Sequence, residues 1–140
     1  MQTMRSMLVV AVVLGMVLTG TVQARAGKES RVTIKGTDGF WHVISKGLQT
    51  NACYTVTLTS TIKYSPSEKR PERLHIGLAG GDRTDYTFEN KTKAKKIRES
   101  IQITAKDTIL TVRVMDPDPT DNTGNLVVTV VPCKPAPAAE

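Results

Sequence analysis

From residue 31 onward the chain alternates apolar and polar positions. Tyr54, Val56 and Leu58 interleave with Thr55, Thr57 and Thr59, a period of two that predicts a strand with one apolar face. The same rhythm recurs in Leu74-Ile76-Leu78, Tyr86-Phe88, Ile101-Ile103, Leu110-Val112-Val114 and Leu126-Val128-Val130. Val32-Ile34 and the segment Phe40 to Ser45 complete about eight short strands. Past the leader, no stretch carries a long apolar stripe of helical period. The last strand also has Val127 and Val131 on its second face, which predicts a central strand covered on both sides.

Turn chemistry separates these segments. Gly36-Thr37-Asp38-Gly39, Gly80-Gly81-Asp82 and Asp121-Asn122-Thr123-Gly124 supply residues suited to positive φ, and Ser65 to Pro71 is a longer polar loop with two prolines. Gly77 to Gly81 lacks the Lys-Ser/Thr ending of a phosphate loop and reads as a hairpin turn. Strands and turns together predict an all-β fold: a two-sheet, antiparallel β-sandwich over residues 27–133, of jelly-roll or immunoglobulin-like kind. The tail, residues 134–140, is Pro/Ala-rich and is expected to be disordered.

The N-terminus sets the expected compartment. Arg5 precedes an apolar run of twelve residues, Met7 to Leu18, and Ala24-Arg25-Ala26 places small residues where a signal peptidase reads. Residues 1–26 are therefore read as a signal peptide cut after Ala26, with Ala24 as the alternative. A spanning helix needs about 20 apolar residues, so no stable membrane anchor is expected, and the protein is placed outside the cell or in the periplasm. In that setting the two cysteines, Cys53 and Cys133, are best read as one disulfide.

Losing Arg5 and Arg25 with the leader lowers the net charge from +6 to +4. The distribution matters more than the total. Five of the eight residues from Lys91 to Arg98 are basic (Lys91, Lys93, Lys95, Lys96, Arg98), whereas Asp116, Asp118 and Asp121 fall within six positions. This predicts a positive end and a negative loop. Such a Lys cluster attracts sulfated glycans or other anionic polymers, or else is a solvated loop that keeps the protein soluble. No aromatics are interleaved with it, so nucleic acid is not an expected partner. Asn90-Lys91-Thr92 also has the form of an N-glycosylation site, significant only in a eukaryotic chain.

The loop Asp116-Pro117-Asp118-Pro119-Thr120-Asp121-Asn122-Thr123-Gly124 gathers the hard oxygen donors that calcium takes. It is not an EF-hand: the sixth position is not Gly, and Val127 stands where the twelfth-position Glu belongs. The alternative is a solvated hairpin loop in which Asp, Pro and Gly serve turn geometry. The run Ile109 to Val130, ILTVRVMDPDPTDNTGNLVVTV, resembles the C-terminal calcium-binding hairpin of the bacterial galactophilic lectins. That resemblance implies a lectin-like sandwich that ligates calcium through Asp116, Thr120, Asp121, Asn122 and the backbone carbonyl of Tyr64. Trp41 ahead of Lys46-Gly47 fits the N-terminal half of such domains. Asp121 stands where the family has Asn, and Ser65 to Leu74 lacks the family's sugar-contacting His and Gln.

His42 and His75 have no metal-ligand spacing, and His75 is expected to face away from the core. Trp41 is expected to be a buried sandwich residue rather than a sugar platform. With no nucleophile elbow, zinc-protease helix or dinucleotide fingerprint, the chain is not expected to be an enzyme. The expectation is a secreted, calcium-dependent carbohydrate-binding module; its rival is an adhesion or structural protein holding anionic glycans on the Lys91 to Arg98 loop.

Overall fold

The computed structural model describes residues 29–134. The segment expected to be a signal peptide, residues 1–26, and the tail beyond Lys134 lie outside the described residues. Eight strands form: β1 (Ser30–Lys35), β2 (His42–Lys46), β3 (Cys53–Ser60), β4 (Arg73–Ala79), β5 (Asp85–Glu89), β6 (Ile97–Thr104), β7 (Ile109–Val114) and β8 (Asn125–Pro132). One 3-10 turn, Pro119–Asp121, precedes β8.

The pairing is that of a long hairpin rolled on itself. β1 pairs with β8, β2 with β7, β3 with β6 and β4 with β5, all antiparallel. Rolling then brings β8 against β3 and β7 against β4. The result is two four-stranded sheets, sheet A in the order β1-β8-β3-β6 and sheet B in the order β2-β7-β4-β5. This is the jelly-roll arrangement.

Alternation decides what fills the space between the sheets. β3 buries Tyr54, Val56 and Leu58, and β4, β7 and β8 bury Leu74, Ile76, Leu78, Leu110, Val112, Val114, Leu126, Val128 and Val130. β2 departs from strict alternation. A register shift between Val43 and Ser45 turns both Ile44 and Ser45 inward, and the Ser45 hydroxyl meets that of Ser30 at 3.0 Å. β8 is central in its sheet as expected, but it is not covered twice: Val127 and Val131 point to the outer face and stay half-exposed. The disulfide Cys53–Cys133, with Cα atoms 5.4 Å apart, joins neighbouring strands of sheet A at the foot of β3 and the exit of β8.

Two turn expectations need correction. Gly77 belongs to β4, and the turn begins only at Gly80, whose φ of 103° leads the chain away. Gly36 is required by close approach rather than by positive φ, since a Cβ there would sit 3.0 Å from the Thr123 carbonyl oxygen.

Candidate functional site

All odd-to-even connections fall at one end of the sandwich, and they bond to one another. Gly36 N–H donates to the Gly124 carbonyl, and Lys63 and Thr123 exchange both backbone bonds at 3.0 Å. The Asn90 side chain reaches the Pro71 carbonyl at 2.7 Å. The acidic loop and the basic loop therefore share this end.

Within the acidic loop, side chains shape the backbone first. Asp116 Oδ1 accepts the Asp118 N–H at 3.0 Å, and Asp118 Oδ1 accepts both the N–H and the hydroxyl of Thr120, which starts the 3-10 turn. Those two bonds hold the exposed Asp118 carboxyl below the usual carboxylate range. Thr120 and Asp121 remain exposed. Asn122 differs, being 3% exposed, with Nδ2 donating to the Gly36 carbonyl at 2.9 Å. Its Oδ1 is buried and accepts no bond from the protein.

The exchange between Lys63 and Thr123 sets Tyr64 opposite Asn122. Tyr64 also lines a cavity with Asp116, so two of the residues implicated in calcium binding share one hollow, and Asn122 lies across the bridge from Tyr64. The Tyr64 hydroxyl is committed elsewhere. It accepts the His75 N–H at 2.7 Å and donates to the His75 carbonyl at 3.3 Å, filling the gap where β4 and β7 part. Burial raises the Tyr64 pKa, and the Asp116 charge adds to the rise, so the phenol stays protonated. Among the described residues no three Asp, Glu, His or Cys side chains gather in metal-binding geometry. The Tyr64 backbone oxygen and the Asn122 side-chain oxygen are amide carbonyls.

Trp41 overturns the expectation that it is buried. It is 46% exposed and lies on the outer face of sheet B, over Gly77. A Cβ on Gly77 would come 3.1 Å from Trp41 Cη2 and 3.3 Å from Arg113 Cγ, so glycine in this strand interior lets both side chains lie close against the sheet. The Arg113 guanidinium stacks on the ring, 4.9 Å from its centroid, with Nε sealed from solvent. The turn before Trp41 is fixed by Asp38, which accepts the Phe40 N–H at 3.0 Å and faces His42 Nε2 at 3.0 Å. Phe40, Trp41, Val43 and Ile109 are the large hydrophobic side chains left exposed among the described residues. Val43 and Ile109 extend the apolar strip along β2 and β7.

Beside Trp41 the face is hollow. A cavity of about 330 Å³ is lined by Gly39, His75, Arg113, Asp116 and Pro117 among others. A neighbour of about 350 Å³ shares His75, Asp116 and Pro117 and adds Tyr64, Arg73 and Thr87. His75 faces away from the core, as its alternation implied.

The basic loop is better ordered than a run of lysines suggests. Asn90 Nδ2 donates to the carbonyls of Pro71 and Ala94, and its Oδ1 accepts the Ala94 N–H and the Thr92 hydroxyl. Lys93 takes a left-handed φ of 54° to close this turn. The same bonds occupy the nitrogen that N-glycosylation would modify. Lys91, Lys93, Lys95, Lys96 and Arg98 are exposed, and among the described residues none lies within 4.0 Å of a carboxylate. Comparison with protein-family models, curated proteins and solved structures finds no match to this chain.

Proposed function

We propose that the protein is an exported carbohydrate-binding module whose ligand rests on the outer face of sheet B. One observation carries this reading: Trp41 lies half-exposed on the bare backbone of Gly77, beside cavities rich in hydrogen-bonding groups. A sugar ring has an apolar face of C–H groups and a polar rim. The indole matches the face, and His75, Thr87, Arg73 and Asp116 match the rim. The leader-like residues 1–26 and the disulfide support export.

Calcium belongs to the same reading. The buried, unpartnered Asn122 Oδ1 beside Tyr64 fits a hard cation, because an oxygen left so is costly unless something positive faces it. Asp116, Asn122 and the Tyr64 carbonyl would hold the ion, with Thr120 and Asp121 closing it from solvent. Bound there, calcium would supply a Lewis-acidic contact for sugar hydroxyls.

Binding of the mature protein to a glycan array, with Trp41→Ala alongside, tests the proposal. A central Trp typically carries at least ~2 kcal/mol, so the variant should bind roughly 30-fold more weakly. Its melting temperature should fall by only a few degrees, the cost of the lost contact with Arg113. Equal binding by both proteins would remove the reading. Calcium is checked separately by melting: ~2 mM ion at a site with Kd near ~0.1 mM adds about 1–2 kcal/mol. Asp116→Ala should abolish the gain, and superimposable curves in calcium and EDTA would remove the metal from the proposal.

A further inference from the structure

A third hollow continues the cavities beside Trp41. It has a volume of about 470 Å³ and opens where β5 and β6, the free edges of the two sheets, come together beneath the basic loop. Phe88 and Ile97 give it apolar walls, and Lys91, Lys96 and Arg98 line it with positive charge. Thr87 lines both this groove and the cavity at Arg73 and His75. The three hollows thus adjoin in series, from Arg113 under Trp41, past His75 and Arg73, to Lys91 and Lys96. Crossing sheet B from β2 to β5 covers three strand spacings of ~4.8 Å, about 14 Å, so the track accommodates several linked sugar rings.

Charge varies along it. Five cations (Arg113, Arg73, Lys91, Lys96 and Arg98) face three carboxylates (Asp116, Glu89 and Glu99). Two of the cations are already stacked on rings, Arg113 on Trp41 and Arg73 on Tyr64 at 5.9 Å. The lysines at the far end have no carboxylate partner among the described residues, and Asn90 fixes the turn that carries them. A loop already held in shape loses little entropy on binding, which separates it from a merely solvated lysine run.

We infer that these hollows form one track for an acidic polysaccharide, whose sugar faces rest on Trp41 and whose anionic groups reach Lys91 and Lys96. This rests on the carbohydrate reading above and names its substrate class. The chain crosses the strands, entering at the apolar strip and leaving over the β5–β6 groove. Carboxylate and sulfate share the chemistry the lysines recognise, and the test separates them.

Two matched pairs of polymers are compared by affinity electrophoresis of the mature protein: polygalacturonate with its methyl ester, and dextran sulfate with dextran. A single-stranded oligonucleotide serves as a polyanion without sugar-face recognition. The expected result is at least ~10-fold tighter binding to the charged member of one pair, which also identifies the anion. In Lys91→Ser/Lys96→Ser that preference should fall about tenfold, and its salt dependence should flatten, while binding to the uncharged member persists. Trp41→Ala should weaken binding to both members. Equal binding within each pair, still sensitive to Trp41, would overturn the acidic ligand and leave the carbohydrate reading intact. Oligonucleotide binding as tight as the best polysaccharide, and indifferent to Trp41, would overturn the inference in favour of charge alone. Binding to none of the polymers would overturn both.

Discussion

The two sheets bury similar inner faces but present opposite outer ones. Sheet A shows solvent a lattice of β-branched and hydroxyl side chains: Thr55, Thr57, Thr59, Val127, Thr129 and Val131, with the Thr57 and Ser100 hydroxyls 2.9 Å apart. These are favourable strand residues, paired side by side on a flat surface. Sheet B breaks local preference repeatedly. It places glycine inside β4, leaves Trp41 and Val43 exposed, and strands the Arg113 Nε without a partner. A fold tolerates such departures where something other than stability is selected. On the proposed reading sheet A is the scaffold, and sheet B carries the binding surface.

The largest effect that can break this division lies in sheet A. Cys53→Ser/Cys133→Ser opens a crosslink spanning 80 residues, and the chain-entropy account assigns it about 4–5 kcal/mol. Urea denaturation should register most of that loss. Under conditions where the variant stays folded, glycan binding should match the native protein. A folded variant that no longer binds would show that the faces are not separable.

Next comes Tyr64→Phe. The phenol ties the β3–β4 connection to β4 through the His75 N–H and carbonyl, and losing it leaves a half-buried backbone donor without its partner. The expected cost is about 1–3 kcal/mol. The Tyr64 backbone carbonyl is untouched, so the calcium-dependent gain in melting temperature should persist. If that gain disappears as well, the hydroxyl rather than the carbonyl serves the ion.

These two sites also mark how far the sequence could be read. Strand positions, the disulfide and the rolled two-sheet form were legible because period-two alternation reports burial directly, and Cys53 and Cys133 bracket the segment it covers. Burial of Trp41 was misread for a physical reason. Whether an aromatic beside a strand faces in or out depends on its partner strands, and Gly77, the residue that accommodates it, is 36 positions away and looked like part of a turn. Asn122 was legible as a possible oxygen ligand, but its bond to Gly36 and its buried Oδ1 arise only once β1 and β8 pair. The basic loop was legible as charge. Its rigidity was not, because Asn90 holds it through Pro71, which belongs to a different connection.

Gly77→Ala should change stability little and binding considerably. The new methyl would meet Trp41 Cη2 at 3.1 Å and the Arg113 side chain at 3.3 Å, and both are flexible enough to shift. Alanine also loses less backbone entropy on folding than glycine, by roughly 0.5–1 kcal/mol, which offsets part of the crowding. Trp41 fluorescence should shift in wavelength as the ring leaves the sheet, and glycan affinity should fall toward that of Trp41→Ala. Unaltered affinity would mean that the ring binds sugar without needing its seat.

The smallest effect is set by pH. The Phe40 N–H lowers the Asp38 pKa below its usual value, desolvation opposes this in part, and His42 adds to the lowering. A depressed folded-state pKa means that ionised Asp38 favours the native state above the unfolded pKa of ~3.9, and that the contribution is lost as pH falls through the lower folded value. Asp38→Asn should therefore be slightly less stable than the native protein at neutral pH, by no more than ~1 kcal/mol for so exposed a group. The difference should vanish once the pH has fallen through the lowered folded-state value. Because Asp38 shapes the turn that delivers Trp41, the same variant should bind glycan somewhat more weakly at neutral pH, with the native affinity declining toward it on acidification. If stability follows this pattern and affinity does not, Asp38 serves the turn alone, and Gly77 with Arg113 suffices to seat the indole.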